Sequence, residues 1–167
     1  MVRECVPLAL MALCPGCSLI LDFSDSAAPK DAAIDAVYTQ EQCDYKEPNE
    51  SVTEAQMVVA GDMGPAAICA AAAGTPEDHD FYKFTVATTP FTVSVNFMNR
   101  AGGDLDLKVY KADGTLLGQS RGFGDTESIT CPGSAPACPA VTAGDYVLEV
   151  FPAVAGAVNT YTFTFSQ

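Results

Sequence analysis

The chain has no tryptophan, a single histidine (His79), and only 8 Lys and Arg residues against 21 Asp and Glu. The missing tryptophan carries no functional reading, but the other shortages do. With one histidine there is no His-Glu-x-x-His zinc motif, and no Gly-x-Ser-x-Gly nucleophile turn occurs either. A formal net charge of −13 argues against a surface for nucleic acid or anionic membrane, because phosphates attract clustered bases and would be repelled here. No apolar run is long enough to span a bilayer. What remains is an acidic chain of 167 residues, 49% hydrophobic, sized for one domain and a tail.

The first twenty residues, MVRECVPLALMALCPGCSLI, carry one early base (Arg3), a short apolar run from Val6 to Leu13, and Pro-Gly-Cys-Ser directly after it. This pattern reads as an export signal that is removed. Its end resembles a bacterial lipoprotein signal over residues 1–16, with Gly16 before Cys17, which would take the lipid and become the new N-terminus. An ordinary signal peptide with an incidental cysteine is the alternative. Ser18 after Cys17 points to the outer membrane. The stretch 17–42 is small, acidic and rich in Ala and Asp, and it reads as a tether.

Of the 7 cysteines, Cys5 and Cys14 leave with the signal and Cys17 is taken by lipid, so Cys43, Cys69, Cys131 and Cys138 remain. An even number in an exported protein reads as two disulfides, with three possible pairings. The pairing preferred is Cys131 with Cys138, because PGSAPA between them forms only a tight loop, and Cys43 with Cys69. Loop closure gives about 2.5 kcal/mol for the short ring and about 3.5 kcal/mol for the long one. Zinc is the rival reading. It is poor, because these four contain no Cys-x-x-Cys and only one histidine is present.

From Phe81 onward, alternating apolar and polar residues recur between Gly, Pro and Asp, the sign of half-buried antiparallel strands. DFYKFTV puts Tyr82, Phe84 and Val86 on one face, and FTVSVNF does the same with Phe91, Val93, Val95 and Phe97. DLDLKVY, YVLEV and YTFTFS follow suit, with shorter candidates in QMVVA, TLLGQS and ESITC. The Asp-Gly of KADGTL predicts a hairpin between DLDLKVY and TLLGQS. About eight short strands without a convincing helix imply an all-β, two-layer antiparallel β-sandwich, jelly-roll-like or Ig-like in outline.

The order of motifs is more specific than any one of them. CDYKEPNESVTEAQ, then EDHDFYKFTV, GGDLDLKVYKADGTLLGQS, TAGDYVLEVFP and a closing YTFTFS resemble the bacterial pre-peptidase C-terminal domain family over residues 43–167. The resemblance implies a non-catalytic β-sandwich module of the kind attached to secreted peptidases, some members of which bind calcium or extracellular polymers. No peptidase sequence occurs within these 167 residues, so a catalytic partner would be a separate protein. Calcium-binding members draw ligands from the Glu-Pro-Asn opening and the acids leading into the aromatic strand. Carried over residue by residue, that implicates Glu47, Asn49, Glu77 and Asp80. Tyr45 stands where those members have a further acid, so Asp44 or Glu50 would substitute.

Calcium also suits the chemistry, since it takes six to eight oxygen ligands and an acidic exported protein meets it outside the cytoplasm. Against it stands the plain alternative that these side chains cap turns and keep a rim soluble. His79, between Asp78 and Asp80, has no nucleophile in sequence reach and reads as a solvated loop residue. Asp104 and Asp106, beside Lys108, read as a charged outward strand face that discourages edge pairing. Phe81, Tyr110, Phe123 and Phe151 fall outside the inward set, and an exposed cluster of them would favour binding a polymer. The expectation is a non-enzymatic envelope or cell-surface lipoprotein. Its partner is an extracellular polymer or an envelope protein; the alternative is an accessory module for a separately encoded peptidase or other hydrolase.

Overall fold

The computed structural model describes residues 38–43, 45–59, 64–71 and 73–167. The leader 1–16, Cys17, most of the tether and Asp44 lie outside the described residues. In chain order the elements are α1 (Gln40–Cys43), β1 (Gln56–Met57), β2 (Ala66–Ile68), β3 (Asp80–Val86), β4 (Phe91–Phe97) and β5 (Leu105–Lys111). They continue with β6 (Leu116–Ser120), β7 (Thr126–Cys131), β8 (Gly133–Ser134), β9 (Ala137–Cys138), β10 (Gly144–Pro152) and β11 (Asn159–Ser166). Residues 38–42, at the end of the stretch read as tether, carry α1 and contact the folded unit, where the Tyr38 hydroxyl accepts the Ala70 amide at 3.1 Å.

Two sheets face each other: a five-stranded one in the order β1-β3-β10-β5-β6 and a four-stranded one in the order β2-β11-β4-β7. The alternating residues explain why. Tyr82, Phe84 and Val86 on β3, Leu105, Leu107 and Val109 on β5, and Tyr146, Leu148 and Val150 on β10 are all buried on one face. Opposite them lie Phe91, Val93, Val95 and Phe97 of β4 and Tyr161 and Phe163 of β11, equally buried. Rings interlock across the gap, with Tyr82 stacked on Phe163 at 4.8 Å and Phe84 edge-on to Phe91 at 5.6 Å. Each sheet alone would leave a row of aromatic and β-branched side chains in water, and packing the two removes both rows.

The Asp-Gly hairpin forms as the sequence predicts: Gly114 takes a φ of 84°, and the Lys111 amide donates to the Thr115 carbonyl at 2.8 Å. Among the described residues there are eleven strands instead of about eight. The additions are β2, whose Ala-Ala-Ile is too short and too uniformly buried to show alternation, and the β8–β9 hairpin. That hairpin lies inside the loop closed by the Cys131–Cys138 disulfide, and Cys43–Cys69 ties α1 to the end of β2. Two disulfides fit an oxidising, extracytoplasmic compartment. One pairing departs from the antiparallel expectation. β1 runs parallel to β3, with Gln56 opposite Tyr82, because the chain crosses to the other sheet as β2 before returning, and a crossover brings it back in the same direction.

Strand register also sorts the loops. Val150 pairs with Asp80, Pro152 with Leu105, Asn159 with Ile68 and Asn96 with Thr126. The connections 69–79, 98–104, 121–125 and 153–158 therefore all sit at one end of the sandwich.

Leu107 faces the core with no exposed surface. Leu107→Ala is expected to cost about 2–5 kcal/mol in urea or thermal unfolding, by lost transfer energy plus an unfilled cavity. A loss under about 1 kcal/mol would show that this face is not the shared interior.

Candidate functional site

Strand parity decides what the Glu-Asp-His-Asp run does. Positions 82, 84 and 86 point inward, so Asp80 is the next inward position and is buried at the end of the core, while His79 and Phe81 turn to the outer face. Asp80 is held there by the Tyr161 hydroxyl, which donates to its carboxylate, and Tyr161 in turn lies 2.8 Å from the Tyr82 hydroxyl. A polar chain thus crosses from one sheet to the other where the apolar core stops.

The Glu-Pro-Asn-Glu segment lies against this point. The Phe81 amide donates to the Asn49 carbonyl at 2.9 Å, the Asn49 amide to the Glu47 carboxylate at 2.9 Å, and the His79 amide to the Glu50 carboxylate at 3.3 Å. Asp78 accepts the Cys69 amide at 2.6 Å, next to the Cys43–Cys69 disulfide. The outcome is a cluster: carboxylate oxygens of Glu47, Glu50 and Asp78 lie within 4.8 Å of one another. Behind them Asn49 is 0% exposed; its side-chain oxygen has no partner, and its side-chain nitrogen faces the Asp80 carboxylate without reaching normal hydrogen-bond geometry. A fully buried amide without a partner is costly and needs a reason.

Electrostatics say the same. Burial, then the neighbouring Glu50 and Asp78 charges, push Glu47 up from 4.5 to about 7. Burial chiefly, with Glu50 adding, pushes Asp78 up from 3.8 to about 6. Burial holds Asp80 well above its ordinary value, the like charges of Asp78 and Glu47 adding to it, even though Tyr161 donates to it and the nearby Asn49 amide opposes the rise. Among the described residues no Lys or Arg makes a salt bridge with any of the three. The donor set is all oxygen, since the neighbouring cysteines are joined and the His79 ring is engaged elsewhere. Such a set suits a hard cation of the calcium class rather than zinc.

The cluster forms part of the wall of an open cleft of about 610 Å³, with Ala70, Ala71, Pro76 and the disulfide as its apolar lining. Of the residues implicated from the sequence, Glu47 stands in the cluster, and Asn49 and Asp80 lie behind it. Glu50, named with Asp44 as a substitute for the missing acid, also stands in the cluster. Glu77 also lines the cleft, but its carboxylate accepts the Gly156 amide at 2.9 Å, which ties the 153–158 loop to this end. Asp78, which the sequence did not single out, also stands in the cluster. Its signal was its parity, two residues before the inward Asp80.

His79 is not a free loop side chain. Its Nδ1 lies 2.8 Å from Glu149, its ring stacks on Phe151 at 5.8 Å, and the same carboxylate receives Lys108 at 3.0 Å and Tyr110 at 2.5 Å. Burial pushes Glu149 up, but the hydrogen bonds from His79, Tyr110 and Lys108 outweigh it and hold the group below its ordinary range. The same outer face carries Asp106, which sits beneath Arg121 at 3.8 Å and is nonetheless raised to about 6 by burial. Asp104 precedes the strand, half-buried. Phe81, Tyr110 and Phe151 do gather on this face. They are not an exposed patch, because Lys108 lies 3.8 Å over the Phe151 ring and Arg121 at 5.3 Å.

No family model and no curated protein matches the chain. Among solved structures it is similar to the pre-peptidase C-terminal domain of collagenase from Bacillus anthracis, at 18% identity and a TM-score of 0.48, over 72% of this chain and 98% of that one. It is also similar to Aeromonas hydrophila PliG, a periplasmic lysozyme inhibitor of g-type lysozyme, at 16% identity and a TM-score of 0.34, over 67% of this chain and 94% of that one. Side-chain geometry, not these likenesses, supports the function proposed below.

The raised carboxyls set a pH dependence. A native state that binds protons more tightly than the unfolded chain loses stability as pH rises between the two pKa values. That window runs from 4.5 to about 7 for Glu47 and from 3.8 to about 6 for Asp78. Glu149, held low, acts in the opposite sense only below that range. In chelator, the melting temperature by circular dichroism is expected to fall between about pH 4.5 and about pH 7. A flat or rising profile across that interval contradicts the assignment.

Proposed function

We propose that this protein is a non-catalytic β-sandwich module of the bacterial envelope whose acidic end binds a calcium-type cation. The observation that carries the reading is the convergence of the Glu47, Glu50 and Asp78 carboxylates beside the unpartnered, fully buried amide of Asn49. A divalent cation there would be held by those carboxylates, with the Asn49 side-chain oxygen as a further ligand and Asp80 as reserve negative charge. Its positive charge would favour the ionised form of groups that burial alone disfavours. The cation is structural in this reading. It ties the 47–50 segment and the β2–β3 connection to the head of β3, and so fixes the wall of the cleft.

The module's place in the cell follows from the leader. Export, lipidation at Cys17 and anchoring to the outer membrane or cell surface are the reading that the first seventeen residues support, and the two disulfides agree with export. Its partner is an extracellular polymer or a protein of the envelope, met at the cleft-bearing end. The Glu149 face is less suited to a partner, because Lys108, Arg121 and His79 already cover its aromatics.

Thermal unfolding with chelator and with calcium tests the cation. A ligand bound only by the native state at about one hundred times its dissociation constant adds about 2.7 kcal/mol, so millimolar calcium is expected to raise the melting temperature by several degrees. Glu50→Gln removes a charge that repels Glu47 and Asp78, so it should hold or raise the calcium-free melting temperature and abolish most of the calcium-dependent rise. A melting temperature that millimolar calcium does not move removes the cation from the proposal.

A further inference from the structure

Among the described residues, the end of the sandwich that bears the acidic cleft also bears three of the six exposed large apolar side chains. Phe123 is 92% exposed, Met98 59% and Val154 57%, each on a different connection among those gathered at this end. The Phe123 loop is not slack. The Asn99 side-chain amide donates to the Phe123 carbonyl at 2.8 Å, and the Asn99 backbone amide donates to Asp125 at 2.8 Å. The Phe97 amide reaches the Asp125 carbonyl at 3.0 Å. From the other side, buried Glu127 accepts the Gly122 amide at 2.7 Å and the Ser120 hydroxyl. Any side chain at position 122 would collide with that carboxylate, 2.6 Å from where its Cβ would stand. The loop is therefore built to hold a phenyl ring out in water, a preorganised anchor rather than a stray surface residue.

Charge adds a second feature. Of the two arginines in the folded unit, Arg121 turns to the outer face, over Phe151 and beside Asp106, whereas Arg100 is exposed on the 98–104 connection next to the tip. Phenylalanine, methionine and arginine are the residue types enriched in protein–protein contacts. A convex tip of this kind needs a concave, acid-rimmed, apolar-lined receptor. The cleft of about 610 Å³ is one: Ala70, Ala71, Pro76 and the disulfide offer apolar surface, with Glu47, Glu50 and Asp78 along its side. Its size falls within the about 300–1,000 Å³ of ligand sites and far exceeds what one ion requires.

We infer that two copies of this chain associate end to end, each inserting the Phe123 tip into the other's acidic cleft, with Arg100 meeting its carboxylates. Tip and cleft belong to the same end, so one two-fold axis between them creates both contacts at once, as an isologous dimer requires. The remaining negative charge opposes this only at short range, since the Debye length is about 8 Å at physiological ionic strength. The inference shares Glu47, Glu50 and Asp78 with the cation reading but does not need an ion. A cation that fills the cluster competes with Arg100.

The test is sedimentation velocity of the full protein from micromolar to about millimolar concentration, in chelator and in calcium. Association is expected in chelator. Phe123→Asp, which removes the tip, and Glu50→Lys, which spoils the cleft, are each expected to raise the dimer dissociation constant about tenfold or more. Phe123→Asp should keep the wild-type circular dichroism melt, and Glu50→Lys, which replaces a charge that repels Glu47 and Asp78 by one that attracts them, should stay folded with a melt at or above that of the wild type. Mixing the two variants should restore part of the association that neither shows alone, because the mixed pair retains one intact tip-to-cleft contact. A simple tip-to-tip contact would not do this. Calcium should weaken association if it occupies the cluster; association indifferent to calcium, with the variant pattern intact, supports the dimer and counts against the ion. A protein monomeric throughout, or variants that associate as the wild type does, overturns the inference, and a calcium-dependent melt in that same monomer leaves the cation reading standing. Phe123-dependent binding to phosphatidylcholine vesicles by a monomeric protein would assign the tip to a lipid surface and likewise overturn it.

Discussion

A strand offers its side chains to two opposite faces in strict alternation, and the aromatic run of β3 cannot be buried without choosing which acids go inside with it. Once Tyr82, Phe84 and Val86 pack against the four-stranded sheet, Asp80 is inward by the same count, and Asp78 follows it onto the core end. His79 and Phe81 are sent to the other side. The acidic run is thereby split into two environments one residue apart. That split organises the rest of the site, because Glu47, Asn49 and Glu50 are laid against Asp78 and Asp80, not against the histidine.

The two environments treat a carboxylate in opposite ways. On the outer face Glu149 is buried but receives Lys108, Tyr110 and His79, so its charge is satisfied by the protein itself and its pKa stays low. At the core end Glu47 and Asp78 are also removed from water, but their neighbours are other carboxylates, and their pKa values rise. A fold gains nothing in stability by gathering like charges around an orphaned amide. In the function proposed here, a cation supplies the missing counter-charge.

A similar contrast separates the aromatic residues outside the core. Phe151 lies under a lysine and an arginine, and Phe81 beside Tyr110, so the outer sheet face is closed by its own side chains. Phe123 has no such cover. A buried carboxylate, an asparagine and a glycine hold its loop in place, and those hydrogen bonds order the backbone while leaving the ring exposed. Both the acid cluster and this ring sit on connections, the elements that a rigid sandwich can vary and still fold.

The order of alternating segments determined the sandwich, because period-two hydrophobicity on about eight segments admits few ways to hide its apolar faces. The Asp-Gly hairpin was local enough to be read the same way, and so were the partners of the four cysteines once a tight loop was recognised. Glu47, Asn49 and Glu50 could be singled out as oxygen donors from residue type and a resemblance. Other features required the fold in three dimensions. Ala66–Ile68 shows no alternation because both of its faces are covered, and β1 runs parallel because the chain changes sheets between it and β3. Asp78 joins the cluster while Glu77 turns to Gly156, His79 is claimed by a glutamate seventy residues away, and Met98, Phe123 and Val154 stand exposed at a common end. Local sequence fixes which face a side chain takes; which partner waits there depends on register between strands far apart in the chain, and only packing sets that.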